Sequence, residues 1–232
     1  MRFDRGQREE IIDTLVVVVC VLVIGLLSQG AAAAEPPRAA LKYRADLIRS
    51  ARLVWGLDAP VAVMAAQVHQ ESAWRPDARS PYAHGLAQFT PDTADWIAGQ
   101  DAALAGADTG NPVWALRALA RYDRWLHDRI APASNACEKW WGTLRGYNGG
   151  LGHWRKEARL AQPASDRAAI DARCGQASRH VTHCRENLAY PRLILTKWQP
   201  LYASWGRGVA CDARPLGASV APALPGGEVA CP

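Results

Sequence analysis

The sequence predicts an all-α domain, and three observations predict it. From Pro37 to Pro200 β-branched residues rarely alternate with polar ones, so the period-2 signature of strands is missing. The same stretch is rich in alanine, leucine and arginine, which favour helices. Its apolar residues recur at helical spacing behind recognisable start signals such as Asn111-Pro112. A chain of 232 residues holds one ordinary domain with a real core.

Residues 1–34 read as an export signal. Arg2, Arg5 and Arg8 precede an apolar stretch of thirteen residues, Leu15 to Leu27, and Ala32 and Ala34 supply an A-x-A cleavage site before Glu35. That length fits a signal core and falls short of the ~18 to 20 residues a membrane span needs. The alternative is an uncleaved membrane anchor through residues 11–30, because small apolar residues continue past Leu27. The globular domain is then expected over 35–205, followed by a Pro/Gly/Ala-rich tail over 206–232.

An early helix carries Leu41, Ile48 and Val54 and stops at Gly56. The next has Asp58 as its expected N-cap and Pro60 in its first turn. Val61, Met64, Ala65 and Val68 make one apolar stripe on it, and Glu71 follows three residues later. A carboxylate therefore stands at the inner edge of a helix end, where burial raises its pKa. Ser72 to Pro81 reads as a loop, and a short helix is expected from Gly85 to Ala94. Asn111-Pro112 opens a helix through Trp114, Leu116, Leu119, Tyr122 and Leu126. Trp140-Trp141 leads into Gly146 to Gly150, expected as a turn. A last helix is expected from about His180 to Trp198.

The balance of 27 basic against 22 acidic residues suits an anionic polymer or surface, but no basic stripe interleaved with aromatics points to nucleic acid. Five cysteines follow the signal, of which Cys174 with Cys184 and Cys211 with Cys231 are the most local pairs; connectivity stays open. Cys174, His180, His183 and Cys184 also make a rival metal set, disfavoured by an oxidising compartment and the absence of a C-x-x-C. His69-Gln70-Glu71 matches half of a zinc-deaminase signature without the other half. H-E-x-x-H, G-x-S-x-G and P-loop patterns are absent. Carboxylate acid/base chemistry is what remains, with Glu71 best placed.

Four motifs then occur in one order: Glu71-Ser72; Gly85-Leu86-Ala87-Gln88; Gly146-Tyr147-Asn148-Gly149-Gly150; and Glu186 with Tyr190. Together they resemble the goose-lysozyme-like lytic transglycosylase (SLT) family, over residues 71 to 190. Two positions depart from its pattern, Ala87 for methionine and Gly146 for alanine, and both are expected to reshape subsites. The resemblance implies a lysozyme-like fold with an active-site cleft, peptidoglycan glycan strands as substrate, and neither cofactor nor metal. It implies Glu71 as the single acid/base group. It gives substrate-contacting roles to Ser72, Ser80, Gln88, Tyr147, Asn148, Glu186 and Tyr190, the last two orienting Glu71 or the substrate.

The outcome it implies is a 1,6-anhydro-muramic end in place of hydrolysis. A lysozyme-type hydrolase, with Asp77 or Asp92 as second carboxylate, and a catalytically silent wall-binding scaffold are the alternatives. Among the ten tryptophans, Trp74, Trp140, Trp141 and Trp154 are candidates for sugar stacking, with core packing the more ordinary use. An exported enzyme of this kind, periplasmic or held in the envelope, serves wall turnover, a secretion or conjugation machine, or phage lysis; the sequence leaves these open.

Overall fold

The computed structural model describes residues 35–211. The expected export signal over residues 1–34, Cys231 and the rest of the expected tail lie outside the described residues.

The helices are α1 (Arg38–Leu41), α2 (Arg44–Trp55), α3 (Val61–Ser72), α4 (Pro91–Ala98), α5 (Pro112–His127), α6 (Ala136–Gly149), α7 (Leu151–Leu160), α8 (Arg167–Asp171) and α9 (Cys184–Arg192). The last continues into a π-helical turn, Leu193–Trp198, and a 3-10 segment, Gln199–Trp205. Among the described residues there is no strand; two isolated bridges tie Arg79 to His84 and His84 to Phe89. The all-α expectation holds.

Helix α3 is the hub. Its first eight residues, Val61 to Val68, are all buried, so the expected stripe is in fact a helix covered on every side. It packs against α2, the π turn and the 3-10 segment. Its start differs from expectation: Pro60 occupies the N-cap without a side-chain cap, and exposed Asp58 pairs with Arg207 at 3.2 Å. Pro60 already fixes the backbone there, which leaves Asp58 free to turn outward.

Elsewhere the caps are local and regular. Asn111 Oδ1 accepts from the Val113 and Trp114 amides at 2.9 and 3.3 Å, so α5 begins where Asn-Pro places it. The short helix expected from Gly85 begins only at Pro91, because Thr90 caps it and residues 84–89 are held as a bridged loop. The early helix divides into α1 and α2, and Leu41 is exposed.

The largest correction concerns Gly146 to Gly150. Expected as a turn, it is the last full turn of α6, and the chain reverses only at Gly150, with φ +86°. Gly149 is there for space: a Cβ on it would lie 2.1 Å from Arg179 Nη1 and 2.5 Å from Asn187 Nδ2. Those two side chains belong to a buried network centred on Arg145, which is fully buried. Arg145 pairs with Glu157 at 2.5 Å and Asp171 at 2.8 Å, and its Nε donates to Asn187 Oδ1 at 2.9 Å. Arg179 shares Glu157 at 2.9 Å. The network joins α6, α7, α8 and α9.

The disulfides are Cys174–Cys184, as the local reading favoured, and Cys137–Cys211. Cys211 therefore does not pair with Cys231; α6 brings Cys137 to it across 74 residues of sequence. The two sulfurs of the rival metal set are bonded to each other. In the chain-entropy picture a loop this long makes the bridge worth about 4 kcal/mol. Cys137→Ser is expected to lower the melting temperature of the oxidised protein and to leave that of the reduced protein nearly unchanged, read by calorimetry with and without reductant.

Candidate active site

The end of α3 is braced before it reaches the cleft. His69 stacks on Trp198 at 4.1 Å and its Nδ1 meets the Tyr202 hydroxyl at 2.7 Å, while Trp198 Nε1 donates to Gln70 at 2.8 Å. Buried Trp74 donates to the same Tyr202 hydroxyl at 2.6 Å. Glu71 follows in the last turn of α3, and the chain leaves through left-handed Ala73 and Trp74.

Glu71 lines a cleft of about 460 Å³ together with Ser80, Gln88, Tyr147, Asn148, Glu186 and Tyr190. Its carboxyl keeps partial contact with the cleft while protein surrounds its other sides. Burial pushes its pKa from 4.5 up to about 8; the Tyr190 hydroxyl, which donates to Oε1, pulls down, and the charge of Glu186 pushes up. The negative end of the α3 dipole acts in the same direction as burial. Neutral Glu71 is thus the populated form at pH 7, the state a general acid requires.

The neighbouring side chains are held by known partners. Tyr190 is buried on α9, its ring stacked with that of Tyr147 at 6.4 Å. The Tyr147 hydroxyl donates to the Ala87 carbonyl at 2.7 Å. Gln88 has φ +47°, a strained conformation, and spends its Nε2 on the Ala78 and Gly85 carbonyls at 3.0 and 2.9 Å. Its Oε1 is the atom left to accept from a ligand. Gly85 is needed for this loop: a Cβ would lie 2.0 Å from the Thr109 carbonyl oxygen. Asn148 accepts from Asn187 at 3.0 Å and donates to Glu186 at 3.2 Å, so the Arg145 network fixes the orientation of its amide. Ser80 accepts from the Ala83 amide at 3.0 Å and shapes the exposed turn at the rim.

Ser72 is the one predicted residue not brought to the cleft. Its hydroxyl is buried and donates to the Val68 carbonyl at 3.2 Å, back into α3. The two departures from the family pattern also face away from the cleft. Ala87 is fully buried in the core, and a Cβ on Gly146 would meet Leu126 and Leu151. They change packing behind the site, not subsite walls. Trp74, Trp140, Trp141 and Trp154 are all buried, so the exposed ring at the cleft is Tyr82.

A model of the transglycosylase SLT domain matches residues 46–170, more than half of the chain. The chain belongs to the transglycosylase SLT domain family. Within it, the chain is 33% identical over 101 residues to membrane-bound lytic murein transglycosylase F of Haemophilus influenzae, covering 43% of this chain and 20% of that one. The protein of the same name from Marinobacter nauticus is 36% identical over 103 residues, 44% of this chain and 19% of that one. This SLT chain spans about a fifth of the length of these relatives. The 70 kDa soluble lytic transglycosylase SLT70 of Escherichia coli shares the fold, with a TM-score of 0.55 at 20% identity, over 70% of this chain and 24% of that one.

Two site features of this SLT domain go beyond what the sequence analysis expects. Glu186, read as an orienting group, is the second carboxylate that lines the cleft, whereas Asp77 and Asp92 are exposed outside it. Asp123 is fully buried behind Glu71. A signal for it was present: Leu116, Leu119, Asp123, Leu126 and Ile130 recur at helical spacing, so a carboxyl interrupts an apolar stripe.

Proposed function

We propose that this SLT domain is an exported peptidoglycan lytic transglycosylase that cleaves the β-1,4 bond between N-acetylmuramic acid and N-acetylglucosamine. The observation that carries this reading is Glu71, a carboxyl whose burial raises its pKa to about 8, hydrogen-bonded by Tyr190 in a cleft of about 460 Å³. Neutral Glu71 gives its proton to the glycosidic oxygen as the bond from the muramyl C1 breaks, and the acetamido group of the same sugar stabilises the cation. The C6 hydroxyl then attacks C1, and Glu71, now a carboxylate, takes its proton. A 1,6-anhydro ring results, and Glu71 regains its starting state without consuming water.

Gln88 Oε1 and the free N–H of Asn148 are suited to grip sugar hydroxyls and N-acetyl groups, with Ser80 at the rim and Tyr147 as a wall. Tyr190 orients Glu71 and supports it while it is an anion. Export through residues 1–34, or anchoring through 11–30, would place the domain beside the wall. Glu186 in the same cleft favours a second reading, a hydrolase with that carboxylate activating water. Mass analysis of muropeptides after digestion separates the two, since an anhydro end is one water lighter than a hydrolysed one. Products carrying only reducing muramic ends would overturn the transglycosylase reading.

Tyr190→Phe tests the support of the anion. Loss of the phenol raises the Glu71 pKa further, so the alkaline limb of the rate profile is expected to move to higher pH. The rate constant is expected to fall about 10- to 100-fold, because a hydrogen bond to the carboxylate is lost. Turnover followed against pH on purified sacculi checks both.

A further inference from the structure

One turn before Glu71 on α3, Gln67 is fully buried, and so is Asp123 opposite it on α5. Gln67 Nε2 donates to Asp123 Oδ1 over 3.3 Å. Each group then has one oxygen left over, and neither Gln67 Oε1 nor Asp123 Oδ2 has a hydrogen-bond partner among the described residues. An ionised carboxylate offers only acceptors, so it cannot satisfy the amide oxygen. Two orphaned oxygens in a dry interior are costly. A single proton on Oδ2 would resolve both, because an acid O–H turned toward Gln67 Oε1 would close a ring of two hydrogen bonds.

We propose that Asp123 is a neutral carboxylic acid bound through both oxygens to the Gln67 amide, and that the pair acts as a positioning device beneath Glu71. It keeps the space under Glu71 free of charge, so that the one negative charge formed during reaction belongs to Glu71. This use of the pair rests on Glu71 as the acid/base group. Among the described residues, the titratable groups that face the two carboxyls are Tyr122 on α5, Tyr147 on α6, and Tyr190 and Glu186 on α9. None is a cation, so a charge on Asp123 would stand without a counter-ion and would oppose formation of the Glu71 anion. Burial pushes the Asp123 carboxyl well above the ordinary range, the Gln67 hydrogen bond pulls it down, and the Glu71 charge pushes it up.

Isotope-edited infrared spectroscopy of the full chain carrying labelled aspartate reads the protonation state directly. One aspartic carbonyl band of the protonated acid is expected to persist from pH 5 to pH 8 and to vanish in Asp123→Asn. Asparagine can form the same ring, its Nδ2 donating to Gln67 Oε1, so the alkaline midpoint of the rate profile is expected to stay in place. Asp123→Leu leaves the Gln67 amide unpaired, and it is expected to lower the melting temperature and the rate constant where asparagine preserves them. The proposal is overturned if no protonated aspartic band survives at neutral pH. It is equally overturned if Asp123→Asn moves the alkaline midpoint downward, the mark of a real charge removed. A chain inactive on glycan would instead remove the Glu71 reading, while the band would still decide the state of Asp123.

Discussion

Glu71→Gln is expected to reduce release of anhydro-muropeptides about 10²- to 10⁴-fold, the range general acid–base catalysis contributes. Glutamine keeps the shape and the ability to meet the Tyr190 hydroxyl but has no proton to give. The same substitution is expected to stabilise the fold. The Glu71 pKa is raised from 4.5 to about 8, so the stability this group supplies is complete below pH 4.5 and is lost progressively as pH rises toward 8. At pH 7 the cost is about 3 kcal/mol. Denaturation of both proteins across that range should show curves that coincide near pH 4 and diverge toward pH 8, with the inactive variant the more stable. Activity retained in Glu71→Gln would end the single-carboxylate mechanism.

Arg145→Met is expected to destabilise the protein by about 3 to 5 kcal/mol, because it removes the buried cation that Asp171 and Glu157 share and leaves Glu157 with Arg179 alone. For a domain of this size the melting temperature should fall on the order of 10 °C. Activity should suffer beyond this loss, since Arg145 also holds Asn187 and, through it, Asn148. Michaelis constants measured well below the melting temperature should rise, a change that lowered stability alone does not produce.

What was legible in the sequence follows the range over which each feature is determined. Helical spacing from Val61 onward places Glu71 at the inner end of its helix, and the resemblance of the four motifs, not the spacing, gives it the acid/base role. The start of α5 was found because Asn111 and Pro112 act on the next three residues. Gly149 misled because glycine pairs usually mark turns, and the reason for this one lies in Arg179 and Asn187, 30 and 38 positions further on. The partner of Cys211 lies 74 positions back, and its nearest neighbour in sequence, Cys231, was the wrong guide. Ser72 was assigned to the substrate from its motif, although a serine in the last turn of a helix readily bonds its own backbone. The orientation of Asn148 depends on a chain of contacts from Arg145 that no local pattern encodes.

The burial of α3 on every side has a consequence for how the work of reaction is divided. A carboxyl at the tip of a helix enclosed by the core, with the adjoining His69 and Gln70 clamped by Trp198 and Tyr202, has little freedom to travel toward its target. Little reorganisation energy is then needed on the protein side as the proton moves. On the proposed mechanism the glycan is then the partner that has to adjust, and the bending needed to bring a glycosidic oxygen to Glu71 falls on the sugar ring.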